Sequence, residues 1–315
     1  MRHLKLLAII VILALPTLAY ADVSNIPGTA TWYFHADFDA MRKGEASKGL
    51  YNWLDNEVFA EIREEIGIDL DKEARQLTAF AAAEEGPVIV LDGKISQGTK
   101  DKVLAIAAID GELETFKSSG KAYYFFDGEG DSDESDSDDS DDNNIDIDID
   151  SLKEEAYVSV ALKNKIVITN TRAQMEALLE NDGKIKSDRS QKDALLVLRA
   201  ERSLIQAGVN ASEMRVDDDG DWDSNILKNT KKLALLLSDL GDKLGVEAKL
   251  MTTEPEMADS MASIVRGLIS LQAFNDDMDP EVASVLQSTK VDVADSTLQI
   301  SLALDPDTVV SALEN

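Results

Sequence analysis

The chain repeats one pattern of secondary structure: two short apolar strands, a tight turn between them, and a helix start signal after the second strand. The pattern occurs four times, at residues 74–95, 156–169, 232–251 and 290–304. A strand pair with one apolar face must have that face covered by another element. The pattern therefore predicts an α+β fold, built as two-layer sandwiches of largely antiparallel sheet covered by helices.

Helix start signals follow the hairpins. Ser96 comes after the first hairpin, and Thr171 and Gln174 after the second have the spacing of a capping box. Asp305 and Pro306 follow the fourth hairpin, where Asp is a good N-cap and Pro fits the first helical turn. We therefore expect a helix after each of these strand pairs.

Each half of the chain also begins with an additional strand, at residues 30–38 and residues 193–200. The two halves, residues 22–182 and residues 183–315, are therefore expected to be degenerate copies of one design. Two apolar stripes mark helices that should cover the sheet. The stripes are Leu50, Trp53, Leu54, Val58 and Ile62, and Met257, Met261, Ile264, Val265 and Leu268.

The N-terminus has the features of a cleaved signal peptide, residues 1–21. Arg2 and Lys5 precede an apolar run at residues 6–19, and an Ala-Tyr-Ala cleavage signal closes the segment. The run is shorter than the roughly 20 residues that a membrane-spanning helix needs. We therefore predict an exported protein, periplasmic or secreted, whose mature chain has no transmembrane segment.

Charge and cysteine content narrow the possible functions. The formal net charge is −30, and cleavage would remove two further positive charges. A polyanion repels nucleic acid and anionic lipid and attracts cations or basic partners. The chain has no cysteine, which excludes disulfides, thiol chemistry and cysteine-based metal sites.

One segment, residues 127–150, contains thirteen carboxylates, four serines and no basic residue. Like charges at this density repel one another, so we expect a solvated, disordered loop inserted between two ordered strands. Ca²⁺ takes six to eight oxygen ligands in flexible geometry, so a dense set of aspartates can hold it weakly. The candidate ligands are Asp131, Asp133, Asp136, Asp138, Asp139, Asp141, Asp142, Asp146, Asp148 and Asp150.

A second acidic segment supplies the further candidate ligands Asp217, Asp219, Asp221 and Asp223. It does not satisfy the EF-hand template, because Arg215 would stand at position one and Ile226 at position twelve. The alternative interpretation of both acidic segments is charge that only keeps the protein hydrated. Ca²⁺ is the only cofactor that the sequence suggests.

Two other features of the sequence are candidate sites. Residues 93–100 lie between a strand and a helix as a phosphate-binding loop would, but Thr99 and Lys100 stand in the wrong order for that motif. His35 shares a strand face with Tyr33 and Asp37, so His35 and Asp37 could act as a cation-binding or acid–base pair. The alternatives are an ordinary strand-to-helix turn and an ordinary polar strand face.

Three hypotheses for function follow. The first is a non-catalytic exported binding protein whose acidic loop binds divalent cations or a basic protein. The second is an envelope protein that makes protein–protein contacts through sheet edges or helix faces, with acidity that only reflects a saline habitat. The third is a hydrolase that uses Asp or Glu and His35. Nucleic-acid binding is not expected.

Overall fold

The computed structural model describes residues 30–82, 86–108, 113–126, 156–184, 194–201, 229–272 and 280–314. The predicted signal peptide lies outside these ranges, so export remains a prediction. No helix in the described part of the chain is long and apolar enough to span a membrane.

Twelve strands of the described residues form one sheet, and its neighbouring strands are antiparallel. The strands are β1 Ala30–Asp37, β2 Ala74–Ala82, β3 Gly86–Gly93, β4 Glu114–Ser118, β5 Lys121–Phe126, β6 Ala156–Ser159, β7 Lys165–Thr169, β8 Ala194–Glu201, β9 Thr230–Asp239, β10 Leu244–Thr252, β11 Lys290–Ala294 and β12 Thr297–Leu304. Their order across the sheet is β11-β12-β10-β9-β8-β1-β2-β3-β7-β6-β5-β4. The predicted α+β class with a large antiparallel sheet is confirmed.

The helices connect these strands and pack on the sheet. They are α1 Phe38–Lys43, α2 Ser47–Leu54, α3 Ala60–Glu65, α4 Leu70–Glu73, α5 Gln97–Ala107, α6 Arg172–Glu180, α7 Pro255–Gln272, α8 Pro280–Ser288 and α9 Pro306–Glu314. A π-helical turn, Asp55–Phe59, joins α2 to α3.

The pairing of β1 with β8 joins strands of the two predicted halves into one sheet. Phe34 lies opposite Leu198 in this pair. On one side of the pair come the β2-β3 hairpin and then the β7-β6 hairpin, and on the other side come β9-β10 and then β12-β11. Among the described strands, the outermost hairpin, β5-β4, is present only on the first side.

Alternation along the strands gives the sheet two faces. We call them the Leu237 face, which includes Phe34, Leu198 and Leu237, and the His35 face, which includes Tyr33 and His35. Pairing carries these assignments from one strand to the next across the sheet, because paired residues share a face.

The Leu237 face carries the largest core. Buried side chains of the N-terminal helices, such as Met41, Leu50 and Phe59, pack there with Leu237 and Val246. Helix α9 adds Val309 to the same cluster, and α7 places Met261 against Leu298 further along this face.

The His35 face is covered by a helix near β3, β7 and β5. Buried Met175 and Leu179 of α6 pack there with Val88, Val167 and Tyr123. Helices therefore lie on both faces of a single sheet, whereas the sequence pattern predicted separate two-layer units.

The predicted stripe on α7 is only partly correct. Met261 is buried, but Ile264 and Leu268 are 38% and 46% exposed, and Leu271 beyond them is 69% exposed. Arg266 on another side of the helix donates to the Val291 carbonyl of β11. Among the described residues of α7, the apolar flank with Ile264, Leu268 and Leu271 is therefore largely exposed.

Candidate functional site

The two acidic segments leave the sheet at the same end of its strands. Residues 127–155 connect β5 to β6, and residues 202–228 connect β8 to β9. Strands β8 and β5 are six antiparallel steps apart in the sheet, so they run in the same direction and end at the same edge. We call this edge the acidic edge. At about 4.8 Å per step, the two segments are attached roughly 29 Å apart along it.

The candidate Ca²⁺ ligands themselves lie outside the described residues. These are Asp131, Asp133, Asp136, Asp138, Asp139, Asp141, Asp142, Asp146, Asp148 and Asp150 in the first segment, and Asp217, Asp219, Asp221 and Asp223 in the second. Among the residues that are described, no group of three or more His, Asp or Glu side chains could hold a metal ion. The metal prediction therefore concerns the acidic segments alone.

Both segments begin and end at paired strands. Phe126 lies opposite Ala156 at the base of the first segment, and the rings of Phe125 and Tyr157 are 4.9 Å apart just inside it. At the base of the second segment, Lys232 Nζ lies 3.0 Å from Glu201 Oε1. The attachment points of the two segments are therefore fixed by the sheet.

His35 lies on one strand face with Tyr33 and Asp37, as predicted. Its Nδ1 is 2.8 Å from Thr78 Oγ1 on β2. Burial lowers the pKa of His35, and the nearby charge of Asp37 partly offsets this. The Asp37 carboxylate makes its hydrogen bonds elsewhere, since its oxygens accept from Ala40 N at 2.8 Å and Gln76 Nε2 at 2.7 Å. The arrangement favours a neutral imidazole held by Thr78.

Residues 93–100 form the ordinary strand-to-helix turn. Ser96 caps α5 by accepting from Thr99 N at 3.1 Å. Lys100 Nζ points into the protein, where it donates to the carbonyls of Val160 and Leu162 at 2.8 and 2.7 Å. The Glu73 carboxylate accepts from Ser96 N at 2.8 Å. A phosphate in this turn would need the Ser96 N–H, but that group already donates to the Glu73 carboxylate. The Lys100 amine points away from the turn.

A row of buried charged side chains on the His35 face was not predicted from the sequence. Arg199, Glu247 and Lys249 are 0%, 2% and 7% exposed, and Lys249 Nζ lies 2.9 Å from Glu247 Oε1. Strand alternation placed Glu247 and Lys249 on one face of β10, but nothing in the sequence shows that this face is buried. Charges this deep are kept only where they are paired.

No protein-family model matches the chain, and no curated protein matches it. Solved structures similar to it include crystal form IV of TP0453, at 10% identity over 96% of this chain and 98% of that chain, with a TM-score of 0.47. Crystal form III of TP0453 is similar at 9% identity over 90% of this chain and 94% of that chain, with a TM-score of 0.45. Similarity at this level carries no argument about function.

Proposed function

We propose that this protein is exported by its signal peptide, residues 1–21, to the periplasm or the medium, and that it is a non-catalytic binding protein there. Its acidic segments hold divalent cations, Ca²⁺ above all, and the same charge attracts basic partners. The observation that supports this most is the attachment of both segments at the acidic edge. Each segment raises the local concentration of cations by its own charge, and at low ionic strength, where screening extends to about 30 Å, the two potentials also add.

The expected binding is loose and multiple. Solvated aspartates without a closed cage correspond to the weak extracellular class of Ca²⁺ sites, with Kd of about 10⁻⁴ to 10⁻³ M. Such sites depend on salt, because counterions screen charges beyond roughly 8 Å at physiological ionic strength. The protein would therefore bind Ca²⁺ at concentrations near this Kd range and not at concentrations far below it.

We also propose that the two halves arose as copies of one design. The strand order supports this. Outward from β1 come the hairpins β2-β3 and β7-β6, and outward from β8 come the hairpins β9-β10 and β12-β11 in the same order. Helix placement has diverged between the halves, since α6 covers the His35 face and α9 covers the Leu237 face. The β5-β4 hairpin has no counterpart among the described strands of the second half.

Calorimetric titration of Ca²⁺ into the protein without residues 1–21 tests the cation hypothesis. The decisive variant replaces residues 127–155 with Asn-Gly, because Phe126 and Ala156 are directly paired and a two-residue turn can join them. We expect the wild type to take up several ions and the shortened protein to lose most of the heat. Absent heats, or equal heats in both proteins, would refute a role for the segment.

A matched control keeps the charge and removes the hydroxyls. In this variant Ser132, Ser135, Ser137 and Ser140 become Ala, and the Ca²⁺ titration should match that of the wild type. The second segment is tested by changing Asp217, Asp219, Asp221 and Asp223 to Asn. These four substitutions should lower the number of bound Ca²⁺ ions by less than replacement of residues 127–155, because the first segment carries more carboxylates.

Protein–protein contact is a second candidate function, favoured by the exposed apolar flank of α7. Ile264, Leu268 and Leu271 lie along one side of this helix in contact with solvent. An L268E/L271E variant should lose any partner that binds there, whereas Ser263→Glu on the same helix should retain it. Cross-linking in an envelope fraction measures both. The hydrolase hypothesis uses Asp or Glu with His35, and turnover unchanged by His35→Ala would count against any role for that histidine.

A further inference from the structure

A polar cleft of about 430 Å³ opens at the edge of the sheet opposite the acidic edge. It lies where β1 ends and α1 begins. Its lining consists of Asp37, Asp39, Ala40, Lys43, Arg75, Gln76 and Asp92. The volume falls in the range of small-molecule sites, roughly 300 to 1,000 Å³, but Ala40 is the only apolar residue in the wall. Such a wall fits a small, charged, hydrophilic ligand.

One side of the cleft is a fixed pair of carboxylates. Asp37 caps α1 through Ala40 N and is held by Gln76 Nε2 from the neighbouring strand. Asp39, in the first turn of α1, accepts from Arg42 at 2.7 Å. A carboxylate has about four lone-pair directions, so both groups can accept further hydrogen bonds from an ammonium.

The other side carries the ion pair of Arg75 with Asp92 and is shaped by a β-bulge. The register between β2 and β3 shifts at Arg75, and its Nη2 donates to Asp92 Oδ1 at 2.6 Å. Lys165 Nζ holds the second oxygen of Asp92 at 3.0 Å. The buried Nε of Arg75 has no hydrogen-bond acceptor among the described residues. Bulges often redirect a side chain next to a site, and Arg75 lines the cleft with the exposed part of its side chain, 38% of the whole, and not with this buried nitrogen.

The charges of the wall decide between ligand classes. Three carboxylates and two cations line the cleft, so a phosphate or other polyanion would be repelled by the carboxylates. A metal ion is disfavoured because the described residues contain no metal-holding group. A molecule with an ammonium and a carboxylate satisfies both sides at once.

We propose that this cleft binds a small zwitterion of the α-amino acid class. The ammonium lies against Asp37 and Asp39, and the carboxylate lies against Arg75 and against Lys43, whose exposed amine exchanges its 3.5 Å contact with Asp39 Oδ2 for the ligand. The site is at the opposite end of the strands from the acidic segments, so it is a function separate from cation binding.

The test is titration of the protein without residues 1–21 by calorimetry, with amide NMR shifts at residues 37–43 and 75–76 as a second readout. The probes are glycine, L-alanine, L-glutamate and L-lysine, together with L-alaninamide, which lacks the carboxylate, and propionate, which lacks the ammonium. We expect at least one free amino acid to bind saturably, and both truncated probes to bind at least tenfold more weakly than L-alanine. The proposal is overturned when no amino acid binds, or when either truncated probe matches L-alanine.

Variants locate the site. Arg75→Gln, Lys43→Gln and Asp39→Asn should each weaken amino acid binding by about tenfold, while Arg63→Gln, in an ion pair with Asp55 elsewhere, should not. Lys43 and Asp39 lie toward solvent, so their variants decide the matter even where Arg75→Gln fails to fold. Unchanged affinity in both would refute the assignment. Replacement of residues 127–155 should leave amino acid binding intact, which separates this site from the acidic segments.

Discussion

The two faces of the sheet are buried in different ways. The Leu237 face is aliphatic and aromatic across the centre of the molecule, where helices from both halves pack on it. The His35 face is apolar under α6, but between β8 and β10 it carries Arg199, Glu247 and Lys249, all almost fully buried. Apolar packing therefore stabilises the Leu237 face, whereas part of the His35 face depends on buried charges that are costly to bury and sensitive to the loss of a partner.

The energetic asymmetry follows from solvation. Apolar area removed from water contributes about 25 cal/mol per Å² without any need for a specific partner. A buried ion gains stability only through its counter-ion, and loss of one partner leaves the other charge uncompensated. Substitutions on the two faces should therefore follow different rules.

The largest effect is expected on the Leu237 face. Leu237 is 1% exposed and packs in the main core, so Leu237→Ala should lower the free energy of unfolding by about 3 to 4 kcal/mol, through lost transfer energy and a residual cavity. Urea unfolding followed by circular dichroism measures the change. Leu240→Ala, at a position 40% exposed, is the control and should stay within about 0.5 kcal/mol of the wild type.

The buried pair on the His35 face should behave differently. Glu247→Leu should cost about 3 kcal/mol, because the Lys249 ammonium loses its carboxylate partner in the interior. Adding Lys249→Met should recover a large part of that loss, since apolar replacements of both partners are often neutral. Two costs that simply add in the double variant would show that the pair is not coupled.

Local sequence signals predicted the hairpins because turn residues and alternation act over a few neighbouring positions. The β11-β12 hairpin, for example, has its turn at Asp295 and Ser296 as predicted. Strand β4 was missed because Glu114–Ser118 is short and largely polar. It forms because Ser119 and Gly120 both adopt positive φ, 50° and 76°, which suits a two-residue hairpin turn.

The features that carry the candidate sites depend on long-range packing. Alternation along β10 puts Glu247 and Lys249 on one face of the strand but does not show that this face is buried. The polar cleft combines Asp37, Arg75 and Asp92 from three different strands, and the direction of Arg75 depends on a bulge. Neither arrangement leaves a pattern in a short window of sequence.

A smaller effect is expected where α2 is fastened over the Leu237 face. Asp239 Oδ2 accepts from Ser47 N at 2.9 Å and from Ser47 Oγ at 2.7 Å, across 192 residues of sequence. Gly44 leaves room for this contact, because a Cβ at that position would lie 2.0 Å from Asp239 Oδ2. Asp239→Ala removes these contacts and the hydrogen bond that Gly241 N donates to Asp239 Oδ1 at 2.7 Å, and should cost about 0.5 to 2 kcal/mol, the range for loss of a helix N-terminal cap. Asp242→Ala in the same turn is the control, and an equal loss there would contradict the assignment.

The smallest effect is expected from His35 and is a dependence on pH. Burial lowers the pKa of His35 below its ordinary value of 6.5, so the unfolded chain binds more protons than the folded one between the two values. The stability that the neutral imidazole gives is therefore present above pH 6.5 and declines as the pH falls through the folded pKa. Many carboxylates also titrate in acid, so the informative quantity is the difference between wild type and His35→Gln. The wild type should lose more stability than the variant between pH 7.5 and pH 5.5, by less than the Asp239 effect. An equal loss of unfolding free energy in the two proteins between these pH values would show that burial does not keep this imidazole neutral.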